Sequence, residues 1–256
     1  MSTIQWNIAD GMAWLSLNRP EVFNSFNREM ALQLQQLLDE CENNPEVKVI
    51  CLTGTGKAFC AGQDLGEATD PEGPAISTIV KEHYNPIILR LRKLKKPVVA
   101  AVNGVAAGAG ANIALACDIV IAKESASFIQ AFSKIGLIPD SGGTYTLPRL
   151  IGYQKALALM MTGDKLSAAD AEKMGMIYKV FPDDQFETDC QKFVRNIASM
   201  PLQALVYTKE ALNSSGQNSL EQQLDLEAML QEKCAATDDF KEGVQAFLEK
   251  RKPNFK

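Results

Sequence analysis

The stretch from residue 98 to 122, VVAAVNGVAAGAGANIALACDIVIA, constrains the fold more than any other part of the chain, because Asp118 is its single charge. A run this apolar either crosses a membrane or is buried in a protein core. Asn103, Asn112 and three glycines interrupt it, and large apolar residues are sparse in its middle. A continuous spanning helix is therefore a poor reading. The pattern predicts a strand, a Gly-rich turn, a buried helix and a second strand.

Other segments extend that alternation. IQWNIADGMAWLSLN reads as a hairpin turning at Asp10-Gly11. From Asn27 a helix follows, with Met30, Leu34, Leu37, Leu38 and Cys41 on one face. VKVICLTG is a buried strand, and GKAFCAGQDLGEATDPEGPA, rich in Gly, Asp and Pro, reads as a long loop. A helical stretch over 79–94, kinked or restarted at Pro86, ends before Pro97. Strand and helix then alternate through GGTYTLPRLIG, as in βαβ units. Beyond about residue 152 the pattern is almost entirely helical, with starts at Ser167, Pro201 and Ser219; Gln222 completes a capping box. The 256 residues suit one large domain with an appendage. We expect a core over 1–200 and a helical layer over 201–256 that makes subunit contacts.

Charge and cysteine usage narrow the function classes. With 26 Lys and Arg against 31 Asp and Glu the net charge is −5, which disfavours nucleic acid and anionic membranes as partners. The start, MSTIQWNIADG, lacks a signal-peptide pattern. Six cysteines are dispersed with no CxxC pair, which argues against a zinc or dithiol site and for a reduced, cytoplasmic protein. No metal or separate cofactor is expected.

Two glycine-containing loops follow strands, FCAGQDL (59–65) and NGVAAGAGAN (103–112). Small residues let a backbone approach a ligand, and N–H groups at a helix start suit a developing oxyanion. The same residues also serve tight helix–strand packing. Neither loop has a GK[ST] phosphate motif, and GAGANIA is a poor dinucleotide fingerprint. Asp140, in GLIPDSGGT, is open to two readings: a helix N-cap, or a proton carrier whose burial beside Ile138 and Pro139 raises its pKa.

KAFCAGQDL, PVVAAVNGVAAGAG, ALACDIVIA, IGLIPDSGGT and GVQAFLEKRKPNF, in this order, resemble the crotonase, or enoyl-CoA hydratase/isomerase, superfamily over essentially the whole chain. The resemblance implies an α/β fold, a spiral of ββα turns with a C-terminal helical trimerisation region. It also implies a homotrimer or dimer of trimers, and an acyl-CoA thioester as substrate, its carbonyl held by the backbone N–H groups of Gln63 and Ala109. Ala109 stands where many members have glycine, which a backbone donor tolerates if φ is negative.

Hydratases of this family use two glutamates; the matching positions here are Asn112 and Phe132, and neither can deliver a proton at neutral pH. Asp140 matches the acid/base of several family isomerases. Further motifs, among them NSFNREM, YNPIILRLRKLKKPV and QLDLEAMLQ, are similar to members that convert 1,2-epoxyphenylacetyl-CoA to oxepin-CoA and shift Δ3 double bonds to Δ2. That implies proton transfer by Asp140, with Asn112, Phe132, Asn85, Asp64 and Leu65 around the acyl group. Ala61, Lys57, Phe247 and Lys250 are the implied CoA contacts, the last two reaching a neighbouring subunit's ligand. His83 reads as a surface or packing residue. The basic cluster Arg90, Arg92, Lys93, Lys95 and Lys96 reads as a solvated helix end. A hydratase using Asp140 with another acid, and an inactive acyl-CoA- or RNA-binding scaffold, are the rival functions.

Overall fold

A computed structural model describes residues 2–255. Asp10 and Gly11 both take positive φ, 52° and 77°, and join β1 (Ile4–Ala9) to β2 (Met12–Leu17) as an antiparallel hairpin. Asn27 accepts from the Met30 N–H and starts α1 (Arg28–Asn43), which buries the expected face. After β3 (Val49–Gly54), the stretch expected to be all loop holds β4 (Ala58–Cys60) and the single turn α2 (Leu65–Ala68). Next come α3 (Ile76–Thr78), a π-helical segment (Ile79–Tyr84) and α4 (Asn85–Lys93). The helix restarts one residue before Pro86, which has no N–H to donate.

The uncharged run forms β5 (Val98–Val102), β6 (Val105–Ala107), α5 (Ala109–Ala116) and β7 (Ile119–Lys123). Its Gly-rich turn thus contains an unexpected strand. Then follow β8 (Ser127–Ile129), a 3₁₀ turn (Ala131–Ile135), α6 (Gly143–Ile151) and α7 (Tyr153–Thr162). The region expected to be almost wholly helical contains β9 (Lys165–Ser167) and β10 (Lys179–Phe181), on either side of α8 (Ala168–Lys173). The chain closes with α9 (Phe186–Ala198), α10 (Leu202–Ser215), α11 (Leu220–Ala235) and α12 (Asp238–Leu248). Among the described residues no helix is long and apolar enough to cross a membrane.

The strands form two sheets, ordered β1-β2-β3-β5-β7-β10 and β4-β6-β8-β9. Each winding gives one strand to each sheet: β3 then β4, β5 then β6, β7 then β8. The shared strands run parallel within both sheets. The central strands β3, β5 and β7 are covered on both faces, which explains their unbroken apolar runs. Ile50 and Leu52 face the main core with Leu34, Ile87 and Ile113, while Val49 and Cys51 face α9 through Cys190 and Val194. In the C-terminal layer α10 packs on α11 and α11 on α12. Polar anchors tie α10 to the core: Lys209 Nζ reaches Asp118 (2.8 Å) and the Leu91 carbonyl (2.8 Å), and Arg92 pairs with Asn213.

Candidate active site

The small sheet sets up the two expected donors. The Phe26 N–H donates to the Gly62 carbonyl (2.7 Å) and the Asp64 N–H donates to the Phe26 carbonyl (2.8 Å). In such a parallel bridge the intervening N–H, that of Gln63, points to the opposite side. Ala109 is the first residue of α5, so its N–H is one of the helix's unclaimed donors. Its φ is not positive, which meets the condition for replacing glycine there. Gly108 must be glycine: with φ 53° and ψ −126° it turns the chain from β6 into α5. The two loops touch, since a Cβ on Gly62 would lie 3.0 Å from the Ala107 carbonyl oxygen and 3.5 Å from the Ala109 nitrogen. Phe132 is buried with its ring 3.8 Å from where a Cβ on Gly108 would stand.

Asp140 does not cap a helix. The N-cap of α6 is Gly142, with no side-chain cap bond, and the Asp140 carbonyl accepts from the Gly143 N–H (2.9 Å). Nor does Ile138 bury it, for Ile138 is 81% exposed. Asp140 is half-buried; its carboxylate accepts from the Ser141 hydroxyl (2.8 Å) and its carbonyl from the Asn112 amide, and its charge is felt at Tyr84. Burial pushes its pKa above the usual carboxylate range, against opposing bonds from the Ser141 hydroxyl and its own N–H.

Asn112 was expected to line the acyl pocket; the structure buries it at 1% exposure and commits its amide. Nδ2 donates to the Asp140 carbonyl (2.9 Å), and Oδ1 accepts from Gln130 Nε2 (2.8 Å). Gly143 makes this possible, because a Cβ there would lie 2.6 Å from Asn112 Cγ. The amide therefore ties the strand-following segment 130–142 to α5 and fixes the backbone of Asp140.

A second relay steadies the Gln63 side. The buried Tyr84 hydroxyl donates to Gln63 Oε1 (2.6 Å), and Gln63 Nε2 donates to Glu67 Oε2 (2.9 Å). Burial, then the charges of Cys60, Asp140 and two further carboxylates, push Tyr84's ionisation well up, so it stays a neutral donor. Asp64 is occupied elsewhere: its carboxylate pairs with Arg19 (2.8 Å) and caps α2 through the Gly66 N–H. Ala61, Leu65, Asn85 and Lys57 are exposed. Phe247 and Lys250 are exposed at the end of the helical layer, whose main packing is internal. His83 is buried with both ring nitrogens unpartnered, a packing residue whose pKa burial lowers. Ser141, Gln130, Tyr84 and Gly143 were not singled out from sequence. For Ser141 the Ser-Gly turn signal after Asp140 was available; for Gln130 and Tyr84 there was none.

Two backbone donors on neighbouring loops and a half-buried carboxyl held by Ser141 are the groups that holding an oxyanion and moving a proton require. The chain matches the enoyl-CoA hydratase/isomerase family over residues 7–256 and belongs to it. It is a crotonase-class enzyme of CoA thioesters. It is 48% identical to the 1,2-epoxyphenylacetyl-CoA isomerase of Escherichia coli K12, covering all of this chain and 98% of the relative. Identity to the trans-2-decenoyl-[acyl-carrier-protein] isomerase of Streptococcus mutans is 38%, covering 98% and 97%. An enoyl-CoA hydratase crystal structure from Bacillus anthracis superposes with TM-score 0.92 at 36% identity, over 99% of each chain.

Proposed function

We propose that the protein is an acyl-CoA isomerase in which Asp140 alone carries the proton and the Gln63 and Ala109 N–H groups hold the thioester oxygen. One observation carries this reading. At the hydratase glutamate positions stand Asn112, spent on the Asp140 backbone, and buried Phe132, so Asp140 has no acid partner there. Nearby carboxylates are engaged: Asp64 by Arg19, Glu67 by Gln63 and the Arg28 N–H. Asp140 removes a proton alpha to the thioester. The two donors stabilise the enolate by about 3 kcal/mol each. The same proton then returns at another carbon.

The substrate class we favour is 1,2-epoxyphenylacetyl-CoA, opened to oxepin-CoA through the enolate, with Δ3 to Δ2 enoyl shifts by the same proton transfer. The name of the E. coli relative supports it, as does the apolar Phe132 beside the oxyanion donors. On the same reading residues 1–200 form the acyl-CoA-binding core and residues 201–256 the oligomerisation layer. Exposed Leu220, Leu224, Phe240, Phe247 and Leu248 support the latter. The test is turnover of ring-epoxide and Δ3-enoyl thioesters, with Asp140→Asn as control. We expect isomerisation and α-proton exchange in heavy water, both lost in the variant. Robust hydration of crotonyl-CoA that vanishes in Asp140→Asn would make it a hydratase. Acyl-CoA binding without exchange would make it a scaffold.

A further inference from the structure

Asp140 begins a tight turn whose central residues, Ser141 and Gly142, both have positive φ, 50° and 71°. The turn closes with the Gly143 N–H on the Asp140 carbonyl (2.9 Å). Glycine or asparagine is the favoured residue at the first central position, and serine is strained there. The turn itself gains nothing from Ser141 that glycine would not supply. What serine adds is a hydroxyl, shut off from solvent at 1% exposure, that donates to Asp140 Oδ1 (2.8 Å). Oδ2 receives no bond from another residue among those described.

We propose that Ser141 is a positioning residue for the proton transfer: by holding Oδ1 it fixes the carboxyl plane and leaves Oδ2 as the oxygen that exchanges the proton. The proposal rests on Asp140 being the acid/base. In the first half of the cycle the substrate C–H bond breaks, an Oδ2–H bond forms and the electron pair enters the enolate. In the second half the Oδ2–H bond breaks and the proton joins another carbon. The hydroxyl stays on Oδ1 throughout and favours the ionised form, opposing the effect of burial. Groups approaching from other elements are neutral at working pH: Tyr84 from the π-helical segment and the Asn112 amide from α5. Among the described residues no cation pairs with the carboxylate to substitute for the hydroxyl.

Ser141→Gly separates this role from a structural one, because glycine relieves the strained φ while removing the donor. We expect a melting temperature equal to or above wild type, kcat lower by about tenfold and KM within about twofold. The ascending limb of the pH–kcat profile should move up by about half to one pH unit. A profile superposing on wild type, or activity lost only in step with stability and with the limb unmoved, overturns the proposal. Asp140→Asn run alongside keeps the two ideas apart. If it retains α-proton exchange, the proposed function fails. If it loses exchange while Ser141→Gly titrates like wild type, only the role of Ser141 fails.

Discussion

Replacing Gly143 by alanine puts a methyl group into the space of the Asn112 side chain, 2.6 Å from Cγ and 2.8 Å from Oδ1. Carbon contacts settle at about 3.5–4 Å, so one group must move by roughly an ångström. Asn112 has nowhere to go: all eight residues of α5 are buried, and its amide is held at both ends. Overpacking costs about 1–3 kcal/mol, and losing two buried hydrogen bonds adds about 1 kcal/mol each. Together these come to about 3–5 kcal/mol. For a chain of this size each kcal/mol lowers the melting temperature by about 2–4 °C, so thermal unfolding should start about 6–20 °C earlier. Because the Gly143 N–H also binds the Asp140 carbonyl, the carboxyl should shift with it. Displacement of that order costs about a hundredfold in rate. Calorimetry and α-proton exchange on an acyl-CoA substrate measure the two effects. Adding Asn112→Ala makes room for the methyl group, so the double variant should be more stable than the sum of the single changes. It should remain slow, because the Asp140 carbonyl still lacks its amide. Wild-type melting and exchange in Gly143→Ala, or strictly additive stabilities, would refute the steric argument.

Two further outcomes follow from the same site. Burial raises the folded-state pKa of Asp140, so its stabilising contribution is fully present below the unfolded value, about 3.9, and is lost as pH rises through the folded value. Asp140→Asn should therefore equal or exceed wild type in denaturant midpoint at pH 8, with the advantage shrinking towards pH 4. Tyr84→Phe removes the hydroxyl that orients Gln63. It should lose about 1 kcal/mol of stability, and steady-state kinetics should show kcat falling several-fold with KM little changed.

The long elements were legible because their patterns are local. Asp10-Gly11 announces its hairpin, and the α1 face repeats at three- and four-residue intervals. The missed strands β4, β6, β9 and β10 have three residues each, too few to display a period. Only their pairing partners, remote in sequence, define them. At the site, residue chemistry and family resemblance marked Asp140 and the two donor loops. The cap reading of Asp140 failed because the left-handed pair Ser141-Gly142 delays the helix start to Gly143. The tie from Asn112 to the Asp140 carbonyl was not legible, because its orientation depends on a missing Cβ in another helix. Neither fact is written in the residues next to the one concerned.

The small sheet also has a consequence for the order in which the molecule can form. Gln63, Ala109 and Phe132 each lie just past the end of a different strand of that sheet, β4, β6 and β8. Strand pairing across three successive windings is non-local and therefore slow to form. A growing chain that has not yet delivered residues 127–142 can carry both donor loops but lacks β8, Phe132 and Asp140. The site has no half-built working version, so any thioester binding that depends on it should appear only once β8 has paired with β6.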